Sequence, residues 1–357
     1  MNPILNFYKH KKVLITGHTG FKGSWLCNLL HLAGAEIIGI SKRQKNSKHM
    51  FHASKIEKKI KNYYVDIRDY QKISKIIKIE KPEFIFHLAA QSLVPFSINE
   101  PIETWSVNLM GTLNVIESAR TLNKVNLILI TSDKCYKNNE WLWGYREIDQ
   151  LGGDDPYSAS KAACELLIHS QNQIIKKENK YIKIASARAG NVIGGGDWSD
   201  GRIIPDCFKS WNKGKSVEIR NIFSTRPWQF VLEPLIGYLK LGKYISTSVK
   251  NELSFNFGPN PSSDYTVKDL LIRIKKIFPG AQWQHKKNIT IIESNLLKLN
   301  SEKAKKLLKW ECLLDFDLTV KMTTEWYIAQ NHGFNLEEFS IKQLQTYLKK
   351  LDVLELQ

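Results

Sequence analysis

Short apolar runs recur along the first half of the chain and alternate with stretches in which apolar residues return every three or four positions. The runs are typical of buried strands, and the stretches between them of amphipathic helices. The six predicted strands are Lys12–Ile15, Glu36–Ile40, Tyr63–Asp66, Phe84–Leu88, Leu127–Ile130 and Ile182–Ala187. Because this alternation implies right-handed βαβ crossovers, we predict an α/β fold with a doubly wound parallel sheet.

The regular alternation ends at a glycine-rich segment, residues 190–201, which contains five glycines. We place a boundary there. Beyond it, Ile203–Gly214 predicts a helix, Val217–Arg220 a strand, and Leu253–Phe257 a strand that returns to the sheet. Two helical patterns follow in Asn300–Tyr327. We therefore predict one large domain and a smaller lobe that is assembled from discontinuous pieces.

A glycine-rich turn joins the first predicted strand to the helix after it. Gly17, Gly20 and Gly23 are spaced three apart. Glycine lets a backbone approach a pyrophosphate closely, and the helix N-terminus that follows offers free N–H donors and a partial positive charge. The turn thus indicates a dinucleotide site, while a merely tight turn with three glycines remains the alternative.

Candidate acid–base groups occur in two segments. Tyr157 and Lys161 are four apart, so they share one face of a predicted helix, where an ammonium group can hold a phenol near its anionic form. Ser132, Asp133 and Lys134 follow the fifth predicted strand, at the edge where open α/β sheets bind ligands. Together the two segments indicate hydride transfer combined with the elimination of water.

These motifs and three further segments resemble the extended short-chain dehydrogenase/reductase family and, within it, the sugar-nucleotide 4,6-dehydratases. The resemblance runs over nearly the whole chain. The segments that carry it are Gly17–Leu26, His87–Gln91, Thr131–Tyr136, Arg188–Trp198 and Arg226–Gln229. It implies a Rossmann-type sheet, a tightly bound NAD that is recycled within each turnover, and dehydration of a hexose carried by a nucleotide.

The resemblance also implies a division of the chain and an assembly. A homodimer is expected through the helices at Ile102–Leu122 and Tyr157–Gln171. The expected domains are an NAD-binding Rossmann domain, residues 1–189 plus about 230–258, and a nucleotide-sugar-binding lobe, residues 190–229 plus 259–345.

The choice of nicotinamide cofactor is read in two ways. On local chemistry alone, the basic segment Ser41–Arg43 favours the 2′-phosphate of NADP, whereas the resemblance implies NAD. Asp66 is expected near the adenine, or else as a helix cap ahead of Arg68. Asn108 could anchor the backbone near Tyr157. By resemblance the NAD contacts are Gly17, Thr19, Gly20, Phe21, Lys22, Gly23, Asp66, Ile67, Leu88, Ala89, Ala90, Gln91, Asn108, Tyr157 and Lys161.

The substrate contacts also rest on the resemblance. They are Gln91, Ser132, Asn191, Arg202, Arg226 and Trp228. An arginine offers a bidentate fork to phosphate, and the Trp228 ring can either stack on a base or fill the core. Phe230 and Asp154 stand where the family has histidine, and both departures could alter the substrate pocket.

The resemblance assigns a role to each catalytic candidate. Tyr157, held by Lys161 and assisted by Ser132, accepts the proton of the C4 hydroxyl. Lys134 then removes the C5 proton and Asp133 protonates the C6 hydroxyl, so that water leaves. Such a product is a precursor of deoxysugars in surface polysaccharides, including lipopolysaccharide O-antigen.

Lys134 points to CDP-glucose as the substrate, because the related dTDP-glucose and GDP-mannose dehydratases resemble each other in carrying glutamate there. Three alternatives remain. A 4-epimerase would share Tyr157 and Lys161 but need no acid–base pair at C5 and C6. A dehydratase of another nucleotide sugar would differ in its base pocket. A non-enzymatic NAD(P)-sensing protein would usually lack the tyrosine and lysine pair.

Composition narrows the class of partner. The chain has 357 residues, 43% of them hydrophobic, which is enough for a large core. Its net charge of +17 would suit nucleic acid, but the lysines are scattered through helix-like stretches such as Lys55–Lys61. We therefore favour an anionic nucleotide sugar and expect no nucleic-acid partner.

The five cysteines stand alone, with no Cys-x-x-Cys pair and no histidine at ligand spacing. Disulfides and a bound metal are therefore not expected. We recognise no signal peptide and no apolar run long enough to span a bilayer, so a cytoplasmic protein without a membrane partner is expected.

Overall fold

The computed structural model describes residues 2–178, 180–248, 253–259, 265–285 and 296–355. Seven of the described strands pair in parallel in one sheet, which confirms the predicted doubly wound fold. The strands are β1 Lys12–Thr16, β2 Glu36–Ser41, β3 Lys61–Tyr64, β4 Phe84–His87, β5 Lys124–Ile130, β6 Tyr181–Ala189, β7 Val192–Ile193, β8 Val217–Ile219, β9 Thr225–Arg226, β10 Gln229–Phe230, β11 Ser254–Phe257, β12 Tyr265–Thr266 and β13 Trp283–His285. The order in the sheet is β3-β2-β1-β4-β5-β6-β11.

Helices cover both faces of this sheet. They are α1 Pro3–Tyr8, α2 Phe21–Leu32, α3 Met50–Ala53, α4 Tyr70–Glu80, α5 Val94–Asn99, α6 Pro101–Trp105, α7 Gly111–Ala119, α8 Pro156–Ile175, α9 Ile203–Trp211, α10 Leu232–Thr247, α11 Val267–Ile277, α12 Glu302–Leu308, α13 Phe316–Asn331 and α14 Leu336–Glu355. One face packs against α4, α7 and α8, and the other against α1, α2 and α10. Both strand faces are therefore apolar: Val13 and Ile15 join one core cluster, and Leu14 joins the other.

The strand order reverses between β1 and β4, and this reversal creates the crevice that positions the site. Thr16, the last residue of β1, pairs with Ile40 of β2 on one side and with His87 of β4 on the other. The segments that follow β1 and β4 diverge from this point to opposite faces of the sheet. Ligands of open α/β sheets bind in such a crevice.

Several predicted boundaries shift. β3 spans Lys61–Tyr64 instead of Tyr63–Asp66, because Asp66 turns back to accept a hydrogen bond from the backbone N–H of Arg68. The strand predicted to return to the sheet does so as β11 beside β6. The tail contains the two predicted helices, α12 and α13.

Beyond β6 the chain forms small paired strands: β7 with β10, β9 with β12, and β8 with β13. Helices α9, α11 and α13 pack around them. Part of the range expected to form the second lobe, residues 260–264 and 286–295, lies outside the described residues. Among the described helices, none is long and apolar enough to cross a membrane.

Candidate active site

Contacts that only glycine permits shape the turn after β1. Gly17 has φ +74°, and a Cβ there would lie 2.7 Å from the backbone nitrogen of Ala89. A Cβ on Gly23 would overlap the carbonyl group of Gly17. Gly20 is the residue that precedes α2, and it has no side chain to accept a hydrogen bond from the helix. The first N–H groups of α2 are therefore available to an anion. The turn fits a dinucleotide pyrophosphate.

Thr19 fastens this turn to the end of β2. Its Oγ1 lies 2.8 Å from the Ser41 Oγ and donates a hydrogen bond to the Lys42 carbonyl at 3.1 Å. The neighbouring Phe21 is buried in the core, where it anchors the start of α2. The turn is thus held against the end of β2 and against the core.

The two basic residues after β2 are engaged by other side chains. The Lys42 Nζ lies 3.2 Å from the Asp66 carboxylate and 3.5 Å from that of Glu103. The Arg43 guanidinium lies over the Tyr64 ring, 4.0 Å from its centroid. Their charge is therefore partly compensated before any cofactor binds.

Asp66 closes a turn and does not cap a helix. Its carboxylate accepts hydrogen bonds from the backbone N–H of Arg68 at 2.9 Å and from its guanidinium at 2.7 Å. Burial alone would raise the pKa of Asp66, but these hydrogen bonds outweigh burial and hold the pKa well below its usual range. Asp69 is the residue that caps α4, so the helix-cap alternative for Asp66 is wrong. Ile67, beside it, is buried in the core.

Asn108 ties the segment after β4 to α8. Leu88–Gln91 is half-buried along the crevice, and the Asn108 amide exchanges two hydrogen bonds with the backbone of Gln91, at 2.8 and 3.0 Å. The Asn108 Nδ2 also donates to the Ser160 hydroxyl at 2.9 Å, which donates to the Tyr157 carbonyl at 2.7 Å. Asn108 therefore makes the backbone connection near Tyr157 that its position suggested.

Ser132, Asp133 and Lys134 form a tight turn directly after β5. The Asp133 Oδ1 accepts hydrogen bonds from the Ser132 hydroxyl at 2.8 Å and from the Lys134 backbone N–H at 2.9 Å. Gly190 leaves room for this carboxyl group, since a Cβ there would lie 2.9 Å from the Asp133 Oδ2. Burial raises the pKa of Asp133, although the charge of Lys134 opposes the rise. A buried carboxyl group of this kind is suited to donate a proton.

Helix α8 brings Tyr157 and Lys161 to the same crevice. Its N-terminus is capped by the side chain of Asp155. The pKa of Tyr157 is raised to about 12. Burial causes this rise, and the hydrogen bond with the neighbouring Ser132 hydroxyl partly opposes it. Within the described part of the chain, the Lys161 ammonium lies 3.4 Å from the Ile130 carbonyl and makes no hydrogen bond to the Tyr157 hydroxyl. That Lys161 holds the phenol near its anionic form stays a prediction.

The sequence interpretation missed a buried ion pair behind the turn after β5. The Arg188 guanidinium lies 2.8 Å from the Glu165 carboxylate, with both side chains almost fully buried. Glu165 also accepts hydrogen bonds from Thr131 and Ser186, and Arg188 donates to the Tyr136 hydroxyl at 2.7 Å. An arginine inside the apolar run of β6 was the signal that could have revealed it.

Arg202, at the N-terminus of α9, extends to the crevice. Its guanidinium lies 2.9 Å from the Asp197 carboxylate and donates to the Ser92 hydroxyl at 3.0 Å. It is near enough to Tyr157 and Lys22 for their charges to interact. Arg202 is therefore placed where its guanidinium could hold a phosphate close to Tyr157.

The other expected substrate contacts are more dispersed. The Asn191 carbonyl accepts a hydrogen bond from the Gln229 backbone, and Arg226 is half-buried at the edge of β9. Trp228 is only 6% exposed and stacks on Phe316 at a centroid distance of 5.7 Å. The structure thus favours the core-filling alternative for Trp228.

The remaining expectations concern Gln91 and the two departures from the family pattern. The Gln91 Nε2 donates to the Thr104 hydroxyl at 2.9 Å, so this side chain supports local structure. Phe230 is fully buried and packs edge-on against Trp25, whereas Asp154 is exposed. The Phe230 ring belongs to the core, and an effect of either departure on the substrate pocket stays a prediction.

The described residues contain no group of three or more His, Cys, Asp or Glu side chains that could hold a metal ion. The groups that the crevice does bring together are the Tyr157 phenol, the Asp133 carboxyl group and the cations of Lys22, Lys161 and Arg202. They can move protons next to a dinucleotide pocket.

The sequence comparisons agree with this chemistry. A family model described as GDP-mannose 4,6 dehydratase matches residues 14–237. The CDP-glucose 4,6-dehydratase of Salmonella typhimurium is 38% identical over 350 residues, which cover 96% of this chain and 98% of that protein. A UDP-glucose 4-epimerase of Mycoplasma genitalium is 28% identical over 59% of this chain and 58% of its own length.

Solved structures share the fold at low sequence identity. An epimerase of Methanothermobacter thermautotrophicus superposes with a TM-score of 0.78 at 22% identity and covers 92% of this chain and 95% of its own. A UDP-glucose 4-epimerase of Stenotrophomonas maltophila, solved with bound NAD, has a TM-score of 0.78 at 16% identity and covers 91% of this chain and 100% of its own.

Proposed function

The chain belongs to the GDP-mannose 4,6-dehydratase family, and from this premise we propose that it converts CDP-glucose to CDP-4-keto-6-deoxyglucose and water. It is then a hydro-lyase that completes an oxidation, an elimination and a reduction on one sugar. The observation that carries this proposal is the pair of Asp133 and Lys134 on the turn after β5, beside Tyr157. A lysine at that place, where related dehydratases carry glutamate, supports CDP-glucose as the nucleotide sugar.

NAD is the proposed cofactor, and it supplies a site that accepts and returns a hydride. Gly17, Gly20 and Gly23 would admit its pyrophosphate against the N-terminus of α2. Asp66 supports NAD over NADP, because its carboxylate already neutralises part of the charge of Lys42 that a 2′-phosphate would need.

The first chemical step is proton removal at the C4 hydroxyl. Tyr157 accepts this proton; burial raises the pKa of its phenol, and the Ser132 hydroxyl beside it opposes that rise. The positive charge of Arg202 acts in the same direction. The O–H bond gives its proton to Tyr157, the C4–H bond would give its hydride to the bound NAD, and a C4 ketone forms.

Elimination follows because the ketone acidifies the C5 hydrogen. Lys134 takes the C5 proton, the C6–O bond breaks, and the hydroxyl group leaves as water with a proton from Asp133. The buried Asp133 is suited to this role because burial raises its pKa. Reduction at C6 and return of the proton from Lys134 to C5 complete the product.

The alternatives make different demands on these residues. A sugar-nucleotide 4-epimerase is the second candidate, supported by the fold shared with solved epimerases. An epimerase would not need the acid–base pair of Asp133 and Lys134, since no bond at C5 or C6 changes in epimerisation at C4. A non-enzymatic NAD(P)-sensing protein would not need Tyr157 as a proton acceptor either.

The proposal is tested by offering CDP-glucose, dTDP-glucose, UDP-glucose and GDP-mannose separately and analysing the products by mass and NMR. We expect a 4-keto-6-deoxy product from CDP-glucose, formed far faster than from the other three. Faster turnover of dTDP-glucose or GDP-mannose would contradict the substrate, and an epimerised sugar without loss of water would contradict the reaction.

We also propose a homodimer. Helices α6 and α8 pack together and expose large apolar side chains, among them Ile102 at 85% and Leu166 at 63%. Light scattering after gel filtration should report twice the chain mass, and the double variant Ile102→Glu, Leu166→Glu should report one chain. A monomeric wild-type protein would contradict this assembly.

A further inference from the structure

The Arg202 guanidinium is held at two points, one on each side of the crevice. Its Nη1 donates a hydrogen bond to the Asp197 Oδ2 at 2.9 Å, in the segment that leads into α9. Its Nη2 donates to the Ser92 hydroxyl at 3.0 Å, in the segment that follows β4. Within the described part of the chain, its remaining N–H donors make no hydrogen bond. The guanidinium is thus fixed in place and keeps donors for a further acceptor.

Asp197 is the firmly held partner of this ion pair. Its side chain is 6% exposed, whereas that of Arg202 is 35% exposed. The Ser199 backbone N–H donates to the Asp197 Oδ1 at 3.1 Å, so each carboxylate oxygen has its own donor. The Asp197 carbonyl also accepts a hydrogen bond from the buried Tyr327 hydroxyl of α13 at 2.5 Å. Asp197 can therefore direct the more exposed arginine.

Both chain neighbours of Asp197 are packed closely. Gly196 has φ +80°, and a Cβ there would lie 2.6 Å from the Met50 Cβ. The Gly196 carbonyl accepts a hydrogen bond from the Met50 backbone N–H at 3.1 Å. On the other side, Trp198 is 5% exposed and packs edge-on against Tyr327. This packing fixes the direction in which the Asp197 carboxylate points.

Stability alone does not account for the ion pair, because a pair with a partly exposed arginine contributes little to folding. Its effect on binding is larger. Ordering a long arginine side chain before a ligand arrives reduces the entropy that is lost on binding. The negative charge of Asp197 would at the same time repel a phosphate. Positioning and repulsion therefore predict opposite effects of removing Asp197, and the two can be told apart by experiment.

Resting on the proposed dehydration, we propose that Asp197 is a positioning residue that aims the Arg202 guanidinium at a phosphate group of the nucleotide sugar. Ser92 supports the same guanidinium from the segment after β4. The resemblance assigns Arg202 to the substrate and gives Asp197 and Ser92 no role. Neither of these two residues touches the phosphate, and both act through Arg202.

The experiment compares the affinity for CDP with the affinity for cytidine, measured by NMR titration of the full-length protein saturated with NAD. The ratio of the two affinities isolates the contribution of the phosphate groups, because base and ribose are the same in both ligands. We expect this ratio to fall about 10-fold to 100-fold in Arg202→Ala. It should fall about tenfold in Asp197→Ala, where the guanidinium remains but is no longer ordered. Ser92→Ala should lower it less.

Two further variants separate position from charge. Asp197→Asn removes the charge but keeps one oxygen that can accept from Arg202, so its ratio should lie between those of Asp197→Ala and the wild type. Asp200→Asn is the matched control, because the Asp200 side chain is 94% exposed and pairs with Lys209, not with Arg202. It removes the same charge from the same segment and should leave the ratio unchanged. The affinity for cytidine should change little in every variant.

A higher ratio in Asp197→Ala and Asp197→Asn would overturn the proposal, because the carboxylate would then act on the phosphate by repulsion. Equal losses of affinity for CDP and cytidine would also overturn it, since they would show a role in folding alone. If Asp197→Ala does not fold, unchanged ratios in Asp197→Asn and Ser92→Ala have the same force.

Failure of this proposal is distinguishable from failure of the proposed function. The titrations need no turnover, so a wild-type protein that dehydrates no nucleotide sugar would be recognised separately. If another base binds more tightly than cytosine, the same ratio is measured with that nucleoside and its diphosphate. A wrong nucleotide base would then leave the result for Asp197 unchanged.

Discussion

Glu165 and Arg188 form an ion pair of 2.8 Å that is almost fully buried behind the turn of Ser132, Asp133 and Lys134. Through Thr131 and Tyr136, which flank that turn, the pair holds both of its ends. Burial alone would raise the pKa of Glu165, but the charge and hydrogen bond of Arg188, together with the hydrogen bonds from Thr131 and Ser186, outweigh burial and lower that pKa. The geometry of Asp133 and Lys134 therefore depends on two residues that touch no reacting atom.

Removing one partner of this pair should be costly. Arg188→Met leaves the Glu165 charge buried and unpaired, so we expect a loss of about 3–5 kcal/mol in the free energy of unfolding, measured by urea denaturation. As a control, Lys321→Met breaks an exposed pair with Glu325 and should cost less than about 0.5 kcal/mol. Equal effects of the two substitutions would contradict the role of the buried pair.

Lys134→Ala should separate elimination from oxidation. The C4 oxidation stays intact, so reduced nicotinamide should accumulate, while exchange of the C5 hydrogen with solvent deuterium falls about 10²–10⁴-fold. Tyr157→Phe is the matched control and should show neither signal, because it lacks the acceptor for the C4 hydroxyl proton. Near-normal dehydration by Lys134→Ala would show that Lys134 is not the base that removes the C5 proton.

Asp66→Asn should weaken the preference for NAD. The substitution removes the carboxylate that engages Lys42 and Arg68, which leaves two cations able to attract a 2′-phosphate. The ratio of NADP to NAD affinity, measured by calorimetry, should rise several-fold. Glu103→Gln removes only the longer contact to Lys42 and should change the ratio less. Wild-type protein that releases mainly NADP on denaturation would contradict the assignment.

Glu233 should make stability depend on pH. It is fully buried and accepts hydrogen bonds from the backbone of Leu313 and Leu314 and from the Tyr347 hydroxyl, and burial raises its pKa from 4.5 to about 7. A raised pKa means that its contribution is complete below pH 4.5 and is lost as the pH rises through 7.

The check compares wild type with Glu233→Gln in urea at pH 5 and pH 8. The amide cannot ionise, so the decrease in the unfolding midpoint between these two values should be smaller in the variant. The Glu233→Gln variant should also be less stable than the wild type at pH 5, because a single amide oxygen replaces the two carboxyl oxygens that accept these hydrogen bonds. An identical decrease in both proteins would show that Glu233 does not ionise in this range.

The sequence alone determined the sheet and the position of its ligand edge. The strands near Lys12–Ile15 and Phe84–Leu88 and the glycine turn between strand and helix are set by residues close together in the chain. Local hydrophobic periodicity therefore predicts them well. The same holds for Asp133 and Lys134, whose place after a strand puts them at that edge. The end of β3 was harder to predict, because a side-chain contact of Asp66 with Arg68 decides it.

Only the tertiary structure decided which charges meet. Glu165 and Arg188 lie 23 positions apart, and Lys22 and Tyr238 lie 216 apart, so no local pattern connects them. Whether Trp228 stacks on a ligand or fills the core, and whether Lys42 is free for a phosphate, depends in the same way on partners from distant elements. The energy of a buried charge is set by what surrounds it, and only packing determines those surroundings.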